Sequence, residues 1–128
     1  MLPTLTFIGH LETPYKTLND CPNNIQHDGP TCEVVLDSNC AAGLSGLKHG
    51  QNVLLLYWFE GVDRSLLLQR PGNKPDKDPV GVFSLRSPHR PNPIAASVVQ
   101  IQAINGDRVA VQGLDCLDGT KLIDIKPA

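Results

Sequence analysis

The chain has 128 residues and a formal net charge of −2 at pH 7, and 41% of its residues are hydrophobic. These values exclude a disordered chain and a protein that binds nucleic acid through a broadly basic surface. The longest apolar run, Val53–Phe59, is too short to cross a bilayer, and Met1–His10 lacks the basic start of a secretory signal. The expected location is therefore the cytoplasm.

Short strands and polar loops are predicted for the first half of the chain. Alternating apolar residues predict strands at Thr4–Leu11 and Cys32–Asp37, separated by a loop over Leu18–Pro30. Ala41–Lys48 is expected to form one or two helical turns. Val53–Phe59 is apolar throughout, which predicts a central strand buried on both faces.

The middle of the chain predicts a hairpin and a proline-rich segment. Arg64–Gln69 is expected to return against Val53–Phe59, and Pro71–Pro79 is expected to be a polar loop. Gly81–Leu85 has the alternation of a half-buried strand. The prolines of the segment that follows, up to Pro93, restrict the backbone and favour a stiff, extended ribbon.

The last third predicts further strands. Ile94–Ile104 and Arg108–Leu114 alternate around Asn105-Gly106-Asp107, which is a strong hairpin signal. Asp115–Thr120 is a turn, and Lys121–Lys126 is the last strand. Six to eight short strands with little helix predict one all-β domain over residues 1–128, either a small β-barrel or a sandwich.

Four cysteines carry no recognised metal or redox spacing. Without a CxxC pair, they are expected to be free thiols rather than metal ligands or disulfides, so no metal is predicted. Cys116 has no nearby histidine in the sequence that would activate it as a nucleophile. The four are Cys21, Cys32, Cys40 and Cys116.

Charge is concentrated in one segment. Residues 64–90 hold six basic and two acidic side chains, a net +4, and the remainder carries −6. Arg86, Arg90 and Asn92 on the stiff ribbon suit the recognition of an anion or a base edge. The alternative is a solvated, proline-rich surface loop.

A second polar segment surrounds the turn that holds Asp115 and Asp118. A tight turn can present backbone N–H groups beside a carboxylate, which suits an adenine edge or an amino group. Both residues could equally be turn formers that bond their own backbone. No dinucleotide fingerprint, P-loop or serine-nucleophile elbow is present in the sequence.

These two segments resemble a known signature. Gly81–Ser97 (Gly-Val-Phe-x-x-Arg-Ser-Pro-x-Arg-Pro-Asn-Pro-Ile) and Gly113–Pro127 (Asp-x-x-Asp-Gly-Thr) are similar to the motifs of the TsaA-like, TrmO tRNA methyltransferase family. Phe7–Gly9 and Thr13–Lys16 resemble the N-terminal motif of that family. The resemblance implies a small all-β barrel that binds S-adenosyl-L-methionine and works as a homodimer. The implied reaction is N6-methylation of threonylcarbamoyladenosine next to the anticodon of tRNA.

The resemblance also implies site residues. Arg90 and Asn92 are expected to contact the substrate, and Asp118, Asp115 and then Glu60 are the candidates for a catalytic carboxylate. The implied cofactor contacts come from several loops: Pro22, Asn23, Asn24, Glu60, Gly61, Arg86, Ala96, Asp118, Gly119, Thr120 and Lys121.

The chain departs from the family pattern at the implied pocket. Ala95 stands where the family has glycine, Asn24 where it has glutamine, and Glu60 where it commonly has histidine. Lys121 replaces a proline, and Ala128 replaces an aromatic residue. The resemblance is to a short member of the family, without the C-terminal domain that longer relatives are expected to carry after the position of Ala128. Two alternatives therefore stay open, namely a non-catalytic module that binds S-adenosyl-L-methionine and a methyltransferase with a substrate other than tRNA.

Overall fold

A computed structural model describes residues 1–128 and contains eight β-strands. Six of them form a closed barrel in the order β1-β2-β7-β6-β3-β8, and β4 pairs with β5 in a separate two-stranded sheet. The prediction of an all-β barrel is confirmed. The strands are β1 Gly9–Glu12, β2 Thr31–Leu36, β3 Asn52–Trp58, β4 Leu68–Gln69, β5 Val80–Gly81, β6 Ile94–Asn105, β7 Arg108–Gln112 and β8 Thr120–Pro127.

The strands place alternate side chains in the barrel core. In β3, Val53, Leu55 and Tyr57 are buried, whereas Leu54 and Leu56 between them are only half-buried. The prediction that this apolar run is buried on both faces is therefore wrong. A barrel strand has one face toward the core, so a continuous apolar run does not imply that both faces are covered.

Two of the predicted strand boundaries are close and one is displaced. β2 and β8 lie where the alternation predicted strands, but β1 begins at Gly9 rather than at Thr4. Gly9 allows β1 to lie close to β2, because a Cβ atom there would meet the Val35 carbonyl oxygen. The Asn105-Gly106-Asp107 prediction is confirmed, since β6 and β7 pair antiparallel across it and Gly106 has a φ of 66°.

The predicted hairpin of Arg64–Gln69 with Val53–Phe59 is wrong. In the barrel β3 lies between β6 and β8, and only Leu68 and Gln69 of the returning segment are in a strand. They pair with Gly81 and Val80, so the proline-rich loop joins the two strands of a different hairpin, in which each strand has only two residues. Proline within that loop cannot donate to a ladder, which keeps this sheet short.

The predicted strand at Gly81–Leu85 is also wrong beyond its first residue. Val82–Ser84 forms a 3-10 helix after β5. This turn buries Val82 and leaves Phe83 76% exposed. The alternation of apolar residues there arises from a helical turn and not from a pleat.

The chain divides into two compact units, residues 1–57 with 96–128 and residues 58–95. The first holds most of each barrel strand and the barrel core, and the second holds the β4–β5 hairpin. A single domain over the whole chain stays a prediction. None of the helices is both long enough and apolar enough to pass through a bilayer.

Candidate functional site

In the first unit, the segment after β1 is tied to the turn before β8. The Thr13 N–H donates to Asp118 Oδ1 at 3.0 Å, and the Thr13 hydroxyl donates to the Cys116 carbonyl at 2.8 Å. In return, the Asp118 N–H donates to the Tyr15 carbonyl at 2.8 Å. These reciprocal bonds fix a corner of the barrel that is built from the Thr13–Lys16 segment and the Asp118 turn.

The backbone donors of this turn are used within the chain. The Gly119 N–H donates to the Leu11 carbonyl at 2.8 Å, and the Thr120 N–H donates to the Leu117 carbonyl at 3.2 Å. With the Asp118 N–H bonded to Tyr15, all three N–H groups have protein partners. These N–H groups are therefore not available to bind the edge of an adenine, as the sequence suggested. A ligand at this turn would contact carbonyl oxygens or side chains instead.

The Asp118 carboxylate is occupied by protein groups. Lys16 Nζ lies 2.7 Å from Oδ2, and the Thr13 N–H bonds Oδ1. These two donors, the lysine first, hold the pKa of Asp118 below its ordinary value. A carboxylate in this state is a weak proton acceptor, so Asp118 acts here as a structural link.

Asp115, three residues earlier, lies in a different environment. The Tyr57 hydroxyl donates to Asp115 Oδ1 at 2.8 Å and lies 2.7 Å from Ser97 Oγ. Tyr57 is fully buried and Ser97 is 7% exposed, whereas Asp115 is half-buried. Burial raises the pKa of Asp115, although the bond from Tyr57 opposes the rise.

The groups around Asp115 include no cation from the first unit. The Asp115 charge contributes to the raised pKa values of Tyr15, Cys21, Tyr57 and Cys116, and burial is the largest cause in each case. Burial raises the pKa of Cys116 to about 12, which keeps it a thiol and makes it a poor nucleophile. The prediction of four free cysteines agrees with the structure.

The loop that carries Pro22, Asn23 and Asn24 is anchored next to this network. The Gln26 N–H donates to the Gly113 carbonyl at 2.9 Å. Gly113 has a φ of +83°, and a Cβ atom there would overlap the Gln26 carbonyl. The structure therefore brings the predicted Pro22–Asn24 loop and the Gly113–Thr120 motif into one region of the first unit.

Two further predicted cofactor residues of the first unit lie on strands. Ala96 is half-buried in β6 and directly precedes Ser97. Lys121, in β8, is exposed, and its ammonium lies 5.3 Å from the centre of the Phe7 ring. This distance is within the range of a cation–π contact.

The second unit holds the remaining predicted residues. Glu60, Gly61, Arg86 and Asn92 are exposed. Arg90 is half-buried, and its guanidinium donates to three carbonyl groups at 3.0 to 3.1 Å, which belong to Val82, Leu85 and Ser87. Three of its five N–H bonds thus hold the backbone of its own segment, which is a structural role that the sequence did not suggest.

Sequence reasoning missed Tyr57 and Ser97. Both occupy buried positions of β3 and β6, and the other buried residues of these strands are apolar. Buried hydroxyls require hydrogen-bond partners, so a tyrosine and a serine at core positions were a signal for a buried polar network. The partner, Asp115, could not be identified without the strand order. No group of three or more His, Cys, Asp or Glu side chains that could hold a metal ion is present in residues 1–128.

The fold and this corner thus define a small closed β-barrel with a hydrogen-bonded carboxylate network in its wall. Residues 10–128 match the family described as the tRNA-methyltransferase O N-terminal domain. The chain belongs to this family.

Named relatives agree with this assignment. A protein of Rhizobium radiobacter named "Probable S-adenosyl-L-methionine-binding protein VirR" is 40% identical over 97% of this chain and 70% of its own length. An Archaeoglobus fulgidus protein named "S-adenosyl-L-methionine-binding protein" is 36% identical over 93% of this chain and 84% of its own length.

The same fold is found in a crystal structure of TrmO. It matches the whole chain with a TM-score of 0.78 and 30% identity. The chain spans 58% of the length of that protein. The match therefore concerns the barrel region and not the full length of that enzyme.

Proposed function

We propose that this protein is an S-adenosyl-L-methionine-dependent methyltransferase that methylates N6 of threonylcarbamoyladenosine next to the anticodon of tRNA. The observation that carries the proposal is the family match over residues 10–128. The names of the two relatives support the cofactor, and the family description and the structural similarity to TrmO support the reaction class.

The corner in the first unit fits a cationic cofactor. Asp115 is a half-buried carboxylate with no basic partner in its unit, and the groups that face it are phenols and thiols. A positively charged ligand would be attracted by this carboxylate. When bound, the cofactor supplies an activated methyl group on a positively charged sulfur.

Individual residues are proposed as cofactor contacts from their side-chain chemistry. Arg86 is the candidate for the cofactor carboxylate, because a guanidinium binds a carboxylate with two parallel hydrogen bonds. Asn23 and Asn24 can offer amide groups, and Gly119 leaves open space where a side chain would stand. The full proposed set is Pro22, Asn23, Asn24, Glu60, Gly61, Arg86, Ala96, Asp118, Gly119, Thr120 and Lys121, with Arg90 and Asn92 for the substrate.

Titration calorimetry with S-adenosyl-L-methionine tests cofactor binding. We expect wild-type protein to bind, and Arg86→Ala to bind at least about tenfold more weakly while it still folds, as judged by a cooperative urea-unfolding transition. Arg70→Ala, an exposed arginine in the same unit, is the matched control and should bind like wild type. Unchanged affinity in Arg86→Ala would remove Arg86 from the site.

The substrate is tested on RNA. Purified protein, cofactor and tRNA that carries threonylcarbamoyladenosine should yield the N6-methylated nucleoside in a mass spectrum of digested tRNA. tRNA with unmodified adenosine at that position is the control and should gain no methyl group. A wild-type protein that binds the cofactor yet methylates neither RNA would contradict the tRNA assignment.

A non-catalytic module that binds S-adenosyl-L-methionine is the second candidate. Two observations favour it: the relatives above are named as binding proteins, and the substitutions at Asn24, Glu60, Ala95 and Lys121 fall at the implied pocket. Cofactor binding without methyl transfer to tRNA would support it. Transfer to a small nucleoside substrate alone would favour the third reading, a methyltransferase with a substrate other than tRNA.

We also propose that the protein works in the cytoplasm as a homodimer. The second unit exposes three large apolar side chains near the β4–β5 hairpin, with exposed fractions of 56% for Leu67, 63% for Leu68 and 76% for Phe83. Burying such a group against a second copy would remove apolar surface from water.

A further inference from the structure

We propose that Asp115, positioned by Tyr57 and Ser97, accepts the proton that the substrate nitrogen loses during methyl transfer. The inference rests on the proposed function and deepens it. It begins from two carboxylates, Asp115 and Asp118, which belong to one turn but have opposite hydrogen-bonding environments.

The direction of the hydrogen bonds around Tyr57 is fixed by counting hydrogens. A phenol has one hydrogen, and Tyr57 donates it to Asp115 Oδ1 at 2.8 Å. Ser97 Oγ, 2.7 Å from the Tyr57 oxygen, must therefore be the donor of the second bond. The two hydrogen bonds form a series from Ser97 through Tyr57 to Asp115, and each bond strengthens the next.

The Asp115 carboxylate can still accept a proton. An ionised carboxylate offers about four acceptor positions, and protein donors reach this one from Tyr57 and from its own backbone N–H. Asp115 is also half-buried rather than sealed in the core. It is therefore held in a single orientation with acceptor capacity remaining.

Asp118 does not meet these conditions. Its two oxygens accept from Thr13 and Lys16, and the lysine charge favours the ionised form. Protonating Asp118 would break an ion pair at 2.7 Å, so it is the poorer base of the two.

The charged and titratable groups that face Asp115 favour proton uptake. Within the first unit they are Tyr57 from β3, Tyr15 and Cys21 from the segment after β1, and Cys116 beside it, and none of these four is a cation. Burial raises the pKa of Asp115 toward neutral pH, where a general base is most effective.

The step balances without any other reactant. The nitrogen lone pair forms the new N–CH₃ bond, while the C–S bond breaks and its electron pair stays on sulfur. The N–H bond breaks as its proton goes to Asp115. A sulfonium, an N–H group and a carboxylate become a thioether, an N–CH₃ group and a carboxylic acid, so the net charge is zero on both sides. Asp115 then releases the proton to water.

Asp115→Asn tests the proton acceptor. We expect kcat for methylation of threonylcarbamoyl-tRNA to fall about 100-fold, with KM and cofactor affinity by calorimetry within about threefold of wild type. Wild-type kcat should rise with pH through an acid limb that Asp115→Asn lacks. Asp37→Asn, an exposed aspartate of the same unit, is the control and should retain both kcat and the acid limb.

Tyr57→Phe and Ser97→Ala test the positioning residues. Removing the Tyr57 hydroxyl removes a bond that lowers the pKa of Asp115, so the pKa should rise further. Carboxyl-carbon NMR of the ligand-free protein should show this rise, and the acid limb of kcat should move to higher pH by the same amount. Ser97→Ala should move both in the same direction by less.

The outcomes separate the inference from the proposed function. Active wild-type protein whose Asp115→Asn variant keeps its kcat and its acid limb would overturn the inference alone. So would a Tyr57→Phe variant whose Asp115 titrates as in wild type. A wild-type protein that binds no cofactor and transfers no methyl group would overturn the proposed function and the inference with it.

Discussion

At the scale of residues, environment rather than identity decides what each aspartate can do. Asp118 accepts from an ammonium group and a backbone N–H, which keeps it ionised. Asp115 is partly buried, and this burial favours its protonated form even though the bond that it accepts from a neutral phenol favours the ionised one. The sequence placed Asp118 and Asp115 together ahead of Glu60 as catalytic candidates, and the hydrogen bonds of the two aspartates favour Asp115.

The Asp118 ion pair should make stability depend on pH. The folded pKa of Asp118 is below its ordinary value of about 3.9, so its contribution is complete above that value and is lost as pH falls through the folded pKa. Asp118→Asn should therefore be less stable than wild type by about 0.5 to 1 kcal/mol near pH 7, and equally stable near pH 2. Urea unfolding across this range measures the difference. Lys16→Met should follow the same pattern, and a difference that persists unchanged to pH 2 would contradict it.

Gly113 and Gly119 form a matched pair for testing close backbone approach. Both have positive φ, 83° and 84°. A Cβ atom at Gly113 would overlap the Gln26 carbonyl, whereas a Cβ atom at Gly119 would have no other atom within 4 Å. Gly119→Ala should cost about 1 kcal/mol of unfolding free energy from backbone strain alone. Gly113→Ala should cost about 3 kcal/mol or more. Equal losses in urea unfolding would show that the contact with Gln26 contributes little.

At the scale of elements, the proline-rich segment is held by more than its prolines. The Arg90 guanidinium donates to the carbonyl groups of Val82, Leu85 and Ser87, and so connects the 3-10 helix to the ribbon that follows it. Charge-assisted hydrogen bonds to backbone oxygens are stronger than neutral ones, so this arginine stabilises the backbone of its own segment.

Arg90→Met should loosen this segment without unfolding the barrel. The Leu85 N–H, which donates to the Val82 carbonyl at 3.1 Å, should exchange with deuterium at least about tenfold faster. Amides of β2 and β7 in the first unit should exchange at wild-type rates. Arg70→Met, which removes an exposed arginine of the same unit, is the control. An unchanged rate at Leu85 would show that the three bonds do not hold the turn.

At the scale of the whole molecule, the closed barrel leaves no free sheet edge among its six strands, yet apolar side chains remain exposed in the second unit. Closure protects a sheet from edge-to-edge association, so self-association of this protein would use side-chain surfaces. Leu67, Leu68 and Phe83 are the candidates there.

Sedimentation equilibrium should give about twice the chain mass of 13.9 kDa for wild-type protein at micromolar concentration. Phe83→Ser should shift the mass toward 13.9 kDa, because it removes the most exposed of the three apolar groups. Leu18→Ser, at an exposed leucine of the first unit, is the control and should keep the dimer mass. A monomeric wild-type protein would contradict the dimer proposal, and an unchanged mass for Phe83→Ser would exclude this residue from the interface.

The sequence by itself determined the all-β class, the β6–β7 hairpin around Gly106 and the motifs of the family, because alternation, turn glycines and motif spacing are local properties of the chain. It could not predict that β3 lies between β6 and β8 or that Val82–Ser84 forms a helical turn. Only the tertiary structure decided that Tyr57, Ser97 and Asp115 form one hydrogen-bonded network. Ser97 lies 40 positions after Tyr57 in the sequence, and Asp115 lies 58 positions after it. Their hydrogen bonds depend on strand order and register. Both arise from packing over the whole barrel and cannot be read from any local stretch of the sequence.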